Sequence, residues 1–255
     1  TGDSYVSWSF RKQAGFFDVV TYTGNGTSGR GISHNLGSTP GFVIVKCTSD
    51  AEVWRCFHRT FSASNDVSLN STAAVAANGH FPTVPDSDNF YVGAGNQVNG
   101  SGKTYVAYLF AHDDQSFGDD SDEAIIKCGS YTGNATTREI DVGFEPQWIL
   151  LKKTNSTEDW YIIDVMRGMA WPPSSSAQAY LRPNLSAAEQ GNADNYPHVT
   201  SNGFRLTFES STNTSGANYI YVAIRRPMKT PEAGTDVFAV DDAANGLTSG
   251  FPVDW

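Results

Sequence analysis

The sequence has little charge and no long hydrophobic run. Charged residues make up 17% of the chain, and 17 Lys and Arg stand against 27 Asp and Glu, which gives a net charge of −10. A negative chain has no general electrostatic attraction to nucleic acid or to anionic lipid, so we expect neither nucleic acid nor membrane as a partner. The lack of an apolar run of roughly 18 residues likewise predicts no transmembrane helix.

Cysteine is also scarce. Cys47, Cys56 and Cys128 are too few and too scattered for a disulfide scaffold, and none belongs to a CxxC pair of the kind that binds zinc. We interpret them as free thiols of a protein that is assembled in a reducing compartment. A disulfide between Cys47 and Cys56, across a hairpin, is the alternative.

Sequence motifs for catalysis, metal binding or cofactor binding are missing. The five histidines show no HExxH or HxH spacing, and the segment Gly37–Gly41 lacks the central serine of a nucleophile elbow. The segment Gly24–Gly26 lacks the lysine of a phosphate-binding loop. We therefore predict a protein without catalytic, cofactor-binding or metal-binding residues.

Aromatic residues and glycine are abundant instead, and the sequence repeats itself. Tyr22–Gly26 returns as Tyr131–Ala135, 109 positions later. An offset of 106 aligns residues 36–46 with residues 142–152 and places Trp54 on Trp160, and an offset of 114 aligns residues 101–107 with residues 215–221. Because order and spacing are both kept, we interpret the chain as a tandem duplication.

The periodicity within each copy is that of short strands. Phe42–Cys47 and Trp148–Lys153 are apolar, β-rich runs that follow Gly/Pro turns. Tyr105–Phe110 and Tyr219–Ile224 are almost continuously apolar, which predicts central strands buried on both faces. We predict an all-β fold of tandem β-sandwich repeats, of the jelly-roll or concanavalin A-like type.

The repeat pattern predicts five segments. One of them is an acidic connector at 113–123, whose aspartates offer oxygen ligands for calcium but whose spacing fits no EF-hand loop. We interpret this connector as a solvated linker, with calcium binding as the alternative. The segments are the last strand of a preceding repeat (1–12), repeat 1 (16–112), the acidic connector (113–123), repeat 2 (124–226), and a linker with the start of a following segment (227–255).

Aromatic residues divide into two groups. Those at matched positions of both copies are predicted to fill the repeat cores. Those in the long insertion of the second copy have no counterpart in the first, and we predict them as contacts for a glycan or another subunit. The core set is Tyr22, Trp54, Phe90, Tyr105, Tyr131, Trp160, Phe204 and Tyr219, and the contact set is Trp171, Tyr180 and Tyr196.

These motifs resemble a domain found in tail-fibre and other virion proteins of tailed bacteriophages, particularly marine ones. The resemblance rests on Tyr-Thr-Gly-Asn-Gly at 22–26, Leu-Gly-x-x-Pro-Gly-Phe-Val-Ile-Val-Lys at 36–46, and Ser-Gly-x-Thr-Tyr-Val-Ala-Tyr-x-Phe-Ala at 101–111. It covers nearly the whole chain, although the second copy departs from the pattern at Ala135 and at 145–148. It implies a concanavalin A-like sandwich in a long, often oligomeric structural protein, for which trimers are usual, and it implies no catalytic site.

We therefore expect a non-enzymatic virion structural protein, assembled in the host cytoplasm, that forms a tail fibre or similar appendage and supports attachment to the host surface. Its expected partners are other copies of itself and other virion proteins, with a host surface glycan as a further candidate, and no cofactor is expected. One alternative is a carbohydrate-binding module of a fibre or an extracellular adhesin. Another is a capsid-attached fibre or decoration protein.

Overall fold

The computed structural model describes residues 6–118, 121–169, 178–192, 197–207 and 211–225, which form an all-β protein, as predicted. Its strand pairs are antiparallel, and the one helix among these residues is the 3₁₀ turn Val165–Arg167. None of these residues belongs to a helix long and apolar enough to cross a membrane. The strands are β1 (Phe17–Thr23), β2 (Arg30–Ser33), β3 (Phe42–Cys47), β4 (Arg55–His58), β5 (Asn65–Ser68), β6 (Ala76–Ala77), β7 (Asn89–Val92), β8 (Thr104–Phe110), β9 (Ile126–Thr132), β10 (Arg138–Asp141), β11 (Pro146–Lys153), β12 (Trp160–Asp164), β13 (Gln178–Tyr180), β14 (Gln190–Asn192), β15 (His198–Thr200), β16 (Gly203–Leu206) and β17 (Asn218–Arg225).

Each half of the described chain has a large sheet and a small sheet around a core. In the first half, the large sheet has the order β1-β8-β3-β4-β5-β6 and the small sheet pairs β2 with β7. In the second half, the large sheet is β12-β11-β17-β9, the small sheet is β10-β16-β15, and β13 and β14 form a separate hairpin. The order β1-β8-β3-β4 of the first half therefore has the counterpart β9-β17-β11-β12 in the second.

The strand registers of the two halves also correspond. Tyr22 stands opposite Tyr105 across β1 and β8, and Tyr131 stands opposite Tyr219 across β9 and β17. The rings of the first pair stack at a centroid distance of 5.1 Å, and those of the second pair at 4.9 Å. Aromatic stacking of this kind adds to the stability that burial of the rings provides.

A fully buried asparagine organises the same turn in each half. Asn99 accepts a hydrogen bond of 3.0 Å from the backbone N–H of Asn25, and Asn213 accepts one of 3.1 Å from that of Asn134. The side-chain amide of Asn99 also donates to the Thr27 carbonyl, and that of Asn213 donates to the Thr136 carbonyl, over 2.8 Å in both halves. These bonds satisfy backbone groups that the turn would otherwise leave unpaired inside the protein.

The two large sheets pack directly against each other through the faces that point away from each sandwich core. Ile220, Val222 and Ile224 of β17 join a hydrophobic cluster with the first half, while Tyr219 and Tyr221 of the same strand belong to the second half's own core. Strand β17 is therefore buried on both faces, as its continuous apolarity predicted. Strand β8 meets this expectation only in part, because Val106 and Tyr108 stay partly exposed.

The N-terminal segment lies at the rim of this packing rather than in a sheet. Residues 6–12 were predicted to be part of a preceding repeat's last strand, but in the structure they form no strand. Phe10 instead places its ring 5.4 Å from that of Phe110 in the first half and 5.9 Å from that of Trp148 in the second. The predicted segment 227–255 lies outside the described residues.

The cysteines are free thiols, as predicted from their spacing. The strand register explains why a Cys47–Cys56 disulfide does not form. Cys56 stands opposite Ile44 in the β3–β4 pair, three residues from Cys47, so alternation places the two side chains on opposite faces of the sheet.

Candidate functional site

The structure describes one of the three aromatic residues that were predicted as glycan or subunit contacts. Trp171 and Tyr196 lie outside the described residues. Tyr180 is only 6% exposed, so its prediction as an exposed contact is wrong. The β13–β14 hairpin folds the Tyr180 ring over the second core, 5.6 Å from the Tyr161 ring, and its hydroxyl donates to Gln190 over 3.1 Å.

The predicted core aromatics take three different positions. Tyr22 is partly exposed but packs against the hydrophobic cluster, and Trp54 is partly exposed on the outer face of the first large sheet. Trp160 is fully buried, but it lies between the halves rather than inside the second sandwich. The remaining members are buried in the sandwich cores: Phe90, Tyr105, Tyr131, Phe204 and Tyr219.

A groove of about 720 Å³, here called the Trp8 groove, lies between the N-terminal segment and the second half. Its walls include Trp8, Phe10 and Trp148, and its charged lining residues are Arg11, Asp164 and Arg167. The Arg167 guanidinium lies 4.9 Å from the centre of the Trp8 ring and 2.7 Å from the Asp164 carboxylate. The Trp8 indole N–H donates to the same carboxylate over 3.2 Å.

The groove therefore combines aromatic surface with the Asp164–Arg167 ion pair, whose opposite charges neutralise each other. The buried Trp148 indole N–H has no hydrogen-bond partner among the residues that the structure describes, and Met166 at the rim is 91% exposed. Apolar walls with a few convergent polar groups are typical of small-molecule sites. The sequence analysis missed Trp8 because its segment was assigned to the last strand of a preceding repeat. The aromatic residues Trp8 and Phe10 could have indicated a separate surface, and their segment pairs with none of the described strands.

A second polar cluster lies inside the first half. The fully buried Asp66 accepts from Arg55 and Asn78 at 3.1 Å each, and its other oxygen is 2.9 Å from Nδ1 of His80. Nε2 of His80 in turn lies 3.2 Å from the Gln97 amide oxygen. Both ring nitrogens of His80 already have partners within the protein. We therefore assign the Asp66–His80 pair a structural role rather than that of a general base.

Two titratable groups are buried where the halves meet. Nε2 of His58 lies 3.3 Å from the Tyr221 carbonyl, and burial lowers the pKa of His58 to about 3. The Lys152 ammonium donates to the Glu158 carbonyl over 2.6 Å and to the Thr72 carbonyl over 3.1 Å, and burial lowers the pKa of Lys152 to about 8. Both groups join the halves and neither opens to a cavity described above.

Within the described ranges, no group of three or more His, Cys, Asp or Glu side chains is arranged to hold a metal ion. The acidic connector contributes ion pairs instead, since Asp113 lies 3.4 Å from Lys127 and Glu123 pairs with Arg225. The calcium alternative concerns residues 119–120 as well, and these lie outside the described chain.

The comparisons with known proteins give one match. No curated protein and no solved structure matches the chain significantly. A family model described as "Domain of unknown function (DUF7483)" matches residues 1–227, which include every described strand. The chain therefore belongs to the DUF7483 family.

Proposed function

We propose that the chain is a non-enzymatic structural module of a tailed-bacteriophage appendage, a tail fibre or similar component that supports attachment to the host surface. The observation that carries this proposal is the direct packing of the two large sheets. It joins the halves into one block through the apolar outer faces of both, including Trp160 and Phe42, whose rings are 6.2 Å apart. Close-packed interiors have low compressibility and transmit strain, and these properties suit a component that transmits mechanical force.

The polar groups of the interior support a structural role. Asp66, His80 and Lys152 are all buried, and each makes two or more hydrogen bonds or ion pairs within the protein. Hydrogen-bonded networks of this kind rigidify a fold and favour one arrangement of its parts. The assignment to a phage particle itself rests on the sequence motifs at 22–26, 36–46 and 101–111.

Immunogold electron microscopy with an antibody against this chain tests the proposal on purified particles. Label on tail appendages is the expected result. Label over the capsid would instead favour the capsid-attached fibre or decoration protein. Label confined to the soluble fraction of the lysate, with none on particles, would overturn the virion assignment.

A carbohydrate-binding module is the second candidate, and the Trp8 groove favours it. Pyranose rings bind aromatic faces, and Asp164 and Arg167 line the groove beside Trp8. Their side chains are only 7% and 10% exposed, but they place an acceptor and donors for sugar hydroxyls at the groove wall. Titration with host surface polysaccharide tests this candidate. Trp8→Ala should abolish binding, while Trp54→Ala, which alters an indole outside the groove, should leave it unchanged; no binding by the wild type at millimolar sugar would rule the site out.

A further inference from the structure

Two tryptophans at equivalent positions have different surroundings. Trp160 begins β12 and is fully buried, and its indole N–H donates to the Ser68 carbonyl of the first half over 2.9 Å. Trp54 occupies the corresponding position before β4, at an offset of 106. It is partly exposed, and its indole N–H has no partner among the described residues. The hydrogen bond that the Trp160 indole makes to the other half therefore has no equivalent at Trp54.

Two equivalent lysines repeat this difference. Lys152 donates to the Glu158 carbonyl of its own half over 2.6 Å and also to the Thr72 carbonyl of the first half. Lys46 donates to the Glu52 carbonyl of its own half over 2.7 Å, as its counterpart does, but its second acceptor is the Asp50 carbonyl of the same half, at 3.5 Å. Among the described residues, neither Lys46 nor the Trp54 indole therefore has the acceptor in the other half that its counterpart has.

The acceptors come from one segment, residues 68–72, which begins at the last residue of β5. Its counterpart in the second half is the segment 182–186. A contact present in both halves fixes this correspondence. The Trp54 backbone N–H donates to the Asn70 side-chain oxygen over 3.1 Å, and the Trp160 backbone N–H donates to the Asn184 side-chain oxygen over 2.9 Å.

The counterpart segment is exposed from Leu185 onward, whereas Arg182 and Asn184 are partly buried and donate to the Asp159 carboxylate of their own half. Leu185 is 43% exposed, and the residues from 185 to 191 are all exposed. A large apolar side chain in this position gives the segment something to bury on binding. The chain therefore carries two uncovered surfaces whose counterparts bind each other inside the same molecule.

We propose that the surface formed by Lys46, Trp54 and Tyr108, here called the Trp54 corner, binds the segment 182–188 of a second copy of this chain. This segment is the counterpart segment 182–186 with the two exposed residues that follow it. The internal contact supplies the pairing: the Trp54 indole meets the Arg182 carbonyl, and the Lys46 ammonium meets the Ser186 carbonyl. The Arg182 carbonyl already accepts from the Leu185 backbone N–H over 3.1 Å, so the indole uses its second lone pair. The Trp54 and Tyr108 rings lie parallel, 6.4 Å apart at an interplanar angle of 14°, and offer Leu185 a flat apolar surface.

The rest of the outer face of the first large sheet is already covered, which limits the contact between copies to the Trp54 corner. Phe42 and Phe110 are already covered by the second half and the N-terminal segment, so the full internal interface cannot form twice on the same sheet. Trp54 and Tyr108 lie on the part of the face that the second half leaves partly exposed. The docking copy therefore inserts an edge segment rather than a whole sheet.

The contact is head to tail, because it joins the second half of one copy to the first half of the next. Such heterologous contacts build rings or open filaments, depending on the rotation between copies. The inference rests on the proposed structural role, in which copies of the chain lie side by side, and names the surfaces that join them.

Sedimentation velocity over a range of protein concentrations tests the proposal. The wild type should associate, and Trp54→Ala and Leu185→Arg should each weaken association by about tenfold or more, since a buried tryptophan often dominates the energy of an interface. Val84→Arg is the matched control, because Val84 is an apolar residue that is 48% exposed and lies outside both surfaces. It should associate like the wild type.

Mixing the two variants separates loss of the contact from loss of folding. Trp54→Ala keeps an intact segment 182–188, and Leu185→Arg keeps an intact Trp54 corner, so the mixture should form a one-to-one dimer that grows no further. A wild type that remains monomeric at its solubility limit, or variants that associate like the control, would overturn the proposal. Glycan binding by monomers that is lost in Trp54→Ala would also overturn it and would identify a sugar as the occupant. None of these outcomes depends on the immunogold result.

Discussion

Trp160 of the second half donates its indole N–H to the backbone carbonyl of Ser68 in the first half, over 2.9 Å. The same side chain is fully buried and lies 6.2 Å, ring to ring, from Phe42. One residue therefore contributes both apolar contact and a hydrogen bond to the packing of the two large sheets. The halves should unfold together as long as this packing is intact, since cooperative unfolding requires shared contacts.

Trp160→Ala should weaken the joint between the halves more than any change of an exposed residue. We expect a loss of about 3–5 kcal/mol in the free energy of unfolding, because the change leaves a large cavity and an unpaired carbonyl. Trp54→Ala is the matched control and should cost about 1 kcal/mol or less, since that side chain is already partly exposed. Urea unfolding followed by fluorescence measures both. Equal losses would show that Trp160 does not join the halves.

Asp66→Ala should destabilise the first half through the buried network rather than through lost packing. Removing the carboxylate leaves Arg55, Asn78 and His80 without their shared acceptor, and breaking a buried ion pair costs about 3–5 kcal/mol. Asp50→Ala removes a carboxylate that is 48% exposed and paired with Lys103, so it should cost about 1 kcal/mol or less. Thermal unfolding compares the two variants. A small loss for Asp66→Ala would mean that the network is dispensable.

The sequence predicted the fold class well because strands leave a local signature. The repeat placed Tyr22 and Tyr131, with Tyr105 and Tyr219, among the predicted core aromatics. In the structure each copy pairs and stacks two of them, because equivalent residues in equivalent strands share a register. The pattern could not distinguish Trp54 from Trp160. Their exposure depends on which part of each sheet the other half covers, and that is a property of packing rather than of either repeat.

The candidate site was harder to predict for a similar reason. Tyr180 lies in an insertion, and insertions often carry exposed binding residues. Nothing in the local sequence shows that its hairpin folds back over Tyr161. The Trp8 groove combines the N-terminal segment with β11, β12 and the 3₁₀ turn, so it exists only after residues far apart in sequence have come together.

The cysteines should be unreactive in the folded protein. Cys47, Cys56 and Cys128 are buried, and burial raises the thiol pKa of Cys56 and Cys128 well above its ordinary value. The thiolate is the reactive form, so both burial and the higher pKa suppress reaction. A thiol reagent that absorbs on reaction should report no modification in buffer at pH 8 and three thiols per chain in concentrated urea. Rapid modification of the folded chain would contradict the packing around these residues.

His58 should make the protein less stable in acid. Nδ1 accepts hydrogen bonds from the Thr60 hydroxyl and backbone N–H, so Nε2 carries the proton that it shares with the Tyr221 carbonyl, and the folded protein holds a neutral imidazole. Burial, with the nearby charges of Arg59 and His112, lowers its pKa to about 3. An unfolded histidine has a pKa of about 6.5, so below that pH the unfolded chain takes up a proton that the folded protein refuses.

The stability that the neutral His58 provides is therefore complete above about pH 6.5 and is lost progressively as the pH falls toward 3. The loss from one such group is at most about 1.4 kcal/mol per pH unit. Urea unfolding at a series of pH values should show this slope in the wild type and a shallower slope in His58→Phe, which cannot titrate. Thr60→Val, which removes a hydroxyl but keeps the imidazole, should retain the steep slope. Parallel slopes in His58→Phe and the wild type would show that His58 is charged in the folded protein or exposed to solvent.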